Sequence, residues 1–124
     1  MADDSFKSFV LDQLSALPEL RARAMFGGHG LYSGERFFGI LIEGRLFFKV
    51  DETTRAAYEM RGMSPFTYEM KGRVMTMSYY EVSPDILEDR DEAITWANQA
   101  IQVAAKKATT AVRKIAVRSK LKRV

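Results

Sequence analysis

The sequence contains no cysteine, one histidine, one tryptophan and three prolines among its 124 residues. Without cysteine there are no disulfide bonds, thiolate nucleophiles or cysteine-ligated iron–sulfur clusters. A zinc site built from cysteine and histidine is excluded too, because His29 alone cannot complete one. No apolar run reaches the roughly 18–20 residues that span a bilayer. The acidic start, Met1-Ala2-Asp3-Asp4, is unlike a signal peptide, so we expect a cytoplasmic protein without a membrane span.

Acidic residues are missing from the last part of the chain. Residues 1–92 carry 11 Lys and Arg and all 16 Asp and Glu, a balance of −5. Residues 93–124 carry eight cations and no acid, a balance of +8. The net charge of +3 and the isoelectric point near 9.3 therefore come from the C-terminal segment of an otherwise acidic chain.

The basic segment is the strongest candidate for a charge-driven contact. Its cations are interspersed with Val, Ile, Leu and Ala, a composition that suits phosphates of a nucleic acid or an anionic membrane surface. Nucleic-acid binding of this kind would tolerate any base sequence, because phosphate contacts carry no base information. The alternative is an inert, solubilising terminus held against the acidic globule by charge. The candidate contact residues are Lys106, Lys107, Arg113, Lys114, Arg118, Lys120, Lys122 and Arg123.

Apolar spacing predicts a first helix that is capped near Ser5 and ended by Pro18. Three antiparallel strands are expected next. The first covers residues 23–32 and is interrupted by glycines, and the others cover Phe37–Ile42 and Leu46–Val50.

The second half repeats the alternation of helix and strand. Asp51 is a plausible cap for a short helix over residues 53–61, which Gly62 would end. A hairpin of residues 66–70 and 74–80 turns at Lys71-Gly72, and helical segments begin at Pro84 and near Asp91.

This order, α-β-β-β-α-β-β-α, predicts a two-layer α+β domain with a five-stranded antiparallel sheet. Helices are expected to cover one face of that sheet. We place the domain at residues 1–105 and a basic tail at 106–124, where the apolar stripe of the last helix continues into a helical extension.

Three clusters invite a catalytic or ligand-binding interpretation, and none has a complete pattern. Gly27-Gly28-His29-Gly30 lacks a phosphate-loop fingerprint and a following helix, which favours a bulged or kinked strand. His29 has no partner of the Ser-His-Asp or Cys-His type at a recognisable spacing. The carboxylates near a helix start lack the alternating ligands of a calcium loop, and acids are favoured there by the helix dipole. They are Asp85, Glu88, Asp89, Asp91 and Glu92. We therefore assign no catalytic, cofactor or metal residue.

Methionines and tyrosines offer weaker candidates. Six methionines are explained by core packing or, if exposed, by an adaptable binding face: Met25, Met60, Met63, Met70, Met75 and Met77. Tyr68, Tyr79 and Tyr80 could stack on bases, but the aromatic pattern of an RNA-recognition sheet is absent. We expect any binding site on the exposed side of the 63–80 segment or in the tail.

The amino-acid sequences of several segments resemble those of a known protein family. The resemblance lies in residues 23–32 with their Met-Phe-Gly-Gly motif, in residues 46–50, and in the 66–80 hairpin after Pro65. Together these segments resemble the N-terminal domain of the TfoX/Sxy competence regulators. The resemblance runs from about Pro18 to Ala105. It implies a fold akin to secretion chaperones, with a five-stranded antiparallel sheet, and a non-enzymatic bacterial protein that is often dimeric.

The resemblance also implies partners. Full-length family members promote expression of DNA-uptake genes, apparently together with the cyclic-AMP receptor protein, and carry a second helical domain where this sequence has the basic tail. We therefore expect a regulatory, protein-binding module without cofactors, acting as a transcriptional co-regulator whose tail contacts nucleic acid. The alternatives are a chaperone-like adaptor with an inert tail and, third, a small-molecule-binding protein or enzyme.

Overall fold

The protein is described by a computed structural model that covers residues 2–25 and 27–123, with side chains described for residues 5–25, 27–69 and 71–106. Six strands form one antiparallel sheet in the order β1-β2-β3-β4-β6-β5. The elements in chain order are α1 (Ala2–Gln13), β1 (Leu20–Met25), β2 (Gly28–Ser33), β3 (Arg36–Ile42), β4 (Arg45–Lys49), α2 (Glu52–Met60), β5 (Pro65–Met70), β6 (Arg73–Glu81), α3 (Pro84–Glu88) and α4 (Arg90–Arg123). The α+β class and the antiparallel sheet are confirmed.

The predicted number of strands was wrong: the sheet has six strands rather than five. The segment expected to be one kinked strand is two strands, because Met25 pairs with Gly28 and the chain reverses between them. Gly27 makes this possible with a φ of +77°, a conformation that costs glycine little. Gly28 is needed for a different reason, since a Cβ atom there would collide with the carbonyl oxygen of Leu41.

The other two-residue turns lie where the sequence places them. Glu43 and Gly44 have φ values of 51° and 69°, and Lys71 and Gly72 have 54° and 77°. Positive φ at both central residues is the type I′ pattern, whose twist matches that of the strands it joins. The turns therefore fix the registers of β3 with β4 and of β5 with β6.

The α2 helix begins as predicted. The Asp51 side chain accepts hydrogen bonds from the backbone N–H groups of Thr53 and Thr54, at 2.9 and 3.0 Å. Thr54 Oγ1 in turn accepts from the Asp51 N–H at 3.1 Å, which completes a capping box. The hydrogen bond from the Thr53 side chain is the largest of the effects that lower the pKa of the Asp51 carboxyl.

Helices cover one face of the sheet, where the main core lies. This core joins Leu14 of α1, Tyr58 of α2 and Trp96 of α4 to strand residues such as Phe38 and Phe48. Successive side chains of a strand point to opposite faces, so Phe47 lies on the other side from Phe48. Within the described residues, no helix combines the length and apolarity needed to cross a membrane.

Candidate interaction surface

The predicted tail site is described only at its first residue. Lys106 is exposed on α4. The other seven predicted contact residues have side chains outside the described residues, so their role stays a prediction: Lys107, Arg113, Lys114, Arg118, Lys120, Lys122 and Arg123.

His29 lies on β2, between Ala24 of β1 and Leu41 of β3. Its side chain is half-buried and lines a small cavity with Phe6 and Lys7 of α1. Among the described residues no serine hydroxyl or carboxylate hydrogen-bonds to it. The neighbouring glycines serve the turn and the close approach of strands.

The acidic cluster surrounds the junction of α3 and α4. Asp89 Oδ1 accepts the Glu92 N–H at 3.2 Å, and the Asp89 carbonyl accepts the Ala93 N–H at 2.8 Å. These bonds satisfy donors at the start of α4. Asp85 pairs with Arg61 at 3.2 Å. Within the described part of the chain, no three His, Asp or Glu side chains converge as metal ligands do.

A second apolar cluster lies on the sheet face opposite the helices, which we call the open face. Its centre consists of Ile40, Phe47 and Tyr79, each at most 3% exposed. Phe37, Ile42, Phe66 and Met77 pack around them, and no described helix side chain belongs to this cluster. Of the side chains that the structure describes, those of the strands bury it.

Aromatic rings form two contacting groups across the open face. Tyr32 stacks on Phe37 with ring centroids 5.1 Å apart, and Phe37 lies 5.6 Å from Tyr79. In the second group, Phe47 meets Phe66 edge to face at 5.0 Å. These are the separations at which aromatic pairs attract. An open groove of about 450 Å³ adjoins the second group, between Arg45 and Tyr68.

Cationic side chains lie over these rings. The guanidinium carbons of Arg21 and Arg23 are each 5.8 Å from the Tyr32 centroid. Lys49 Nζ lies 4.7 Å from the Tyr79 centroid, and the Arg45 guanidinium carbon lies 5.2 Å from that of Phe47. All are within the range of cation–π attraction. The rings thus hold the cations in place while the cations shield the rings from water.

The open face has the opposite charge to the globule around it. The strand registers place five cations on this face, Arg21, Arg23, Arg45, Lys49 and Arg73. Among described strand residues the one carboxylate on the face is Glu81, which pairs with Arg45 at 2.7 Å. This bond is the main reason that the pKa of Arg45 is raised. The surface therefore favours an anionic partner.

The three tyrosines predicted to stack on bases differ in exposure. Tyr79 is buried in the cluster of the open face and Tyr80 is buried in the main core, so neither offers a free ring to a base. Burial raises the pKa of Tyr79 to about 12. Tyr80 Oη donates to Glu59 Oε2 at 2.7 Å, and this bond raises its pKa. Only Tyr68, at 36%, is appreciably exposed.

The methionines also differ in side-chain exposure. Met60 on α2 is 88% exposed and Met75 on β6 is 42% exposed, whereas Met25, Met63 and Met77 are half-buried. The side chain of Met70 lies outside the described residues. Met75 lies opposite Tyr68 in the β5–β6 pairing, so two partly exposed apolar side chains are neighbours on the open face, where a binding surface near this hairpin stays a prediction.

Sequence reasoning missed the arginines of β1 and their ring. A usable signal was present, because Arg21 and Arg23 alternate with Ala22 and Ala24 as in a strand with one charged face. What the sequence does not show is the register that sets Tyr32 opposite Arg21, with its ring 5.8 Å from both guanidinium carbons.

Comparison with known proteins agrees with the motifs noted above. Residues 12–104, well over half of the chain, match the TfoX N-terminal domain family. A curated relative, the DNA transformation protein TfoX1 of Aliivibrio fischeri (strain ATCC 700601 / ES114), is 28% identical over 81 residues. The match covers 65% of this chain and 37% of that protein. The chain therefore belongs to the TfoX N-terminal domain family and spans about a third of the length of this relative.

Proposed function

We propose that the chain is a non-enzymatic regulatory module that acts by binding a protein partner, as a transcriptional co-regulator, with its basic tail as an auxiliary nucleic-acid contact. The single observation that best supports binding is the open face, which carries five cations and one carboxylate on an otherwise acidic globule. A role in competence is suggested by the matching relative, which is named a DNA transformation protein.

The absence of an assembled reaction centre supports binding over catalysis. In the described residues, His29 has no hydrogen-bonded acid or nucleophile, and no metal-ligating trio forms. The tyrosines with raised pKa values are buried among other side chains rather than lining a cleft. We accordingly propose no substrate and no cofactor.

The tail proposal rests on charge. Eight cations without an acid between residues 93 and 124 give a local density that neutralises phosphates regardless of base sequence. Binding by this route should weaken steeply as salt is added, because it is driven by the release of counterions from the nucleic acid.

A titration of labelled duplex DNA with the whole chain and with a chain ending at Ala105 tests this part. We expect salt-sensitive binding by the whole chain and none by the shortened one. Equal, negligible binding by both would contradict the nucleic-acid role. If the shortened chain still bound DNA, the contact would be attributed to the cations of the open face instead of the tail.

A chaperone-like adaptor with an inert tail is the second candidate. It is favoured by Tyr68 and Met75, which are opposite each other in the β5–β6 hairpin and are both partly exposed on the open face. Light scattering distinguishes a dimer built on that end of the sheet or on α4 from a monomer that keeps the surface for another protein.

A further inference from the structure

The two edges of the sheet differ in how well they are protected. At one edge, β5 begins with Pro65 and its register shifts between Pro65 and Thr67. Proline and register irregularities both discourage another strand from pairing. At the other edge, β1 pairs with β2 over six consecutive positions without a shift and contains no proline. The β1 edge is therefore the one that can accept a further strand.

One hydrogen bond fixes which backbone groups point outward from β1. The Gly34 N–H donates to the Glu19 carbonyl at 3.1 Å, so this opposed pair is of the hydrogen-bonded kind. Hydrogen-bonded and non-hydrogen-bonded pairs alternate along an antiparallel ladder. Arg21 and Arg23 thus bond inward to β2, whereas the N–H and C=O groups of Leu20, Ala22 and Ala24 face the free edge.

The side chains beside that edge are cationic and preorganised. Arg21 and Arg23 project onto the open face, and both guanidinium groups lie over Tyr32. Arg21 Nη2 donates to the Gly34 carbonyl at 2.7 Å. Among the described residues neither arginine forms an ion pair with a carboxylate. A guanidinium stacked on a ring still presents its N–H edge to an anion.

We propose that the β1 edge binds an acidic, extended segment of a partner protein as a seventh strand, with carboxylates at alternate positions beside Arg21 and Arg23. Alternate residues of any strand are about 6.6–6.8 Å apart, so carboxylates at i and i+2 match the spacing of the two arginines. The backbone edge provides affinity and the arginines provide selectivity. This inference rests on the proposed protein-binding function and names the chemistry of the partner.

A second copy of the chain fits this edge poorly. Antiparallel pairing of two β1 strands centred on Ala22 places Arg21 of one copy opposite Arg23 of the other. Like charges directly opposite each other destabilise a strand pair. A nucleic acid would satisfy the arginines but leave the outward backbone groups of Leu20, Ala22 and Ala24 unused. An acidic strand satisfies both sets of groups.

Fluorescence anisotropy with the full chain and a labelled, end-capped peptide of alternating threonine and glutamate tests the proposal. The paired probes are the same peptide with lysine in place of glutamate and a single-stranded oligothymidine. Two variants disable the edge separately. Arg21→Glu/Arg23→Glu reverses its charge, and Ala24→Pro removes an outward N–H from an exposed position without touching the bonds to β2. Arg55→Glu/Lys71→Glu, at two exposed positions on α2 and in the β5–β6 turn outside the five open-face cations, is the charge-matched control.

We expect the glutamate peptide to bind the natural chain and the control, and each edge variant to bind at least about tenfold more weakly, a loss of about 1.4 kcal/mol. The charge-reversed variant should instead bind the lysine peptide. Full binding by Ala24→Pro, with its fold checked by circular dichroism, would overturn strand addition. Oligothymidine could instead bind more tightly than the glutamate peptide, with that binding lost in Arg21→Glu/Arg23→Glu but kept in Ala24→Pro. This result would overturn strand addition and show that the arginines bind phosphates.

The peptide experiment and the duplex DNA experiment test separate proposals, so either proposal can be refuted without the other. Peptide binding without DNA binding would retain the edge and refute the tail. The absence of peptide binding by a chain that still binds DNA through its tail would refute the edge while leaving the co-regulator proposal in place.

Discussion

Arg23 lies over the ring of Tyr32, with 5.8 Å between the guanidinium carbon and the ring centroid. Tyr32 in turn stacks on Phe37, so the arginine is supported by a ring that is itself packed on the open face. Arg21 approaches the same ring at the same distance. A tyrosine of β2 thereby sets the position of two cations on β1.

Tyr32→Leu should weaken binding of the acidic peptide two- to fivefold, because an exposed cation–π contact contributes about 0.5–1 kcal/mol. The apolar contact with Phe37 would be largely kept, so the fold should survive. Tyr32→Phe retains the ring and serves as the control. Equal weakening in both variants, measured by anisotropy, would show that the hydroxyl rather than the ring face matters.

Phe47→Ala should lower the free energy of unfolding by about 3–5 kcal/mol, because it removes a buried ring from the centre of the open face. Tyr68→Ala, at a partly exposed position on the same face, should cost less than about 1 kcal/mol. Urea denaturation of both variants measures the contrast. Similar small losses would mean that the second apolar cluster is not a core.

Gly28→Ala should destabilise the fold by about 3 kcal/mol, since the added Cβ meets the backbone of Leu41, which cannot move aside without breaking the β2–β3 ladder. Gly27→Asn should cost only about 1 kcal/mol, because its surroundings are open and asparagine tolerates the left-handed conformation. Thermal unfolding distinguishes the two. The reverse order of stabilities would contradict the β1–β2 hairpin.

Alkaline pH should destabilise the protein through Tyr79. Its pKa rises from the ordinary value of 10.0 to about 12 on folding, so the folded state holds the proton more tightly than the unfolded chain does. The stability contribution is fully present below pH 10 and is lost as pH rises through about 12, with a total of up to about 3 kcal/mol. Tyr79→Phe should lose less stability over that interval when unfolding is followed in urea. Parallel pH curves for the two proteins would contradict burial of this hydroxyl.

Much of the fold follows from local sequence chemistry. Glu43-Gly44 and Lys71-Gly72 stand between apolar runs, and such pairs specify two-residue turns. Asp51 is followed three residues later by Thr54, whose hydroxyl completes the cap. The sequence also places the helices on one face through their apolar spacing.

The first hairpin was missed because three glycines close together serve three purposes. Gly27 permits the turn, Gly28 permits close approach to β3, and Gly30 lies where a side chain would meet Met25 and Phe37. Composition alone does not separate these roles. The open face was missed because its cation–ring contacts depend on strand register, and Phe47-Phe48 does not reveal that each ring enters a different core.

The most direct test compares two ligands with two variants of the full chain. The acidic peptide and duplex DNA are each titrated against Arg21→Glu/Arg23→Glu and against the chain ending at Ala105. We expect the first variant to lose only the peptide and the second to lose only the DNA, since protein and nucleic acid would use separate surfaces. If one variant lost both the peptide and the DNA while the other variant bound both normally, the claim that protein and nucleic acid use separate surfaces would be contradicted.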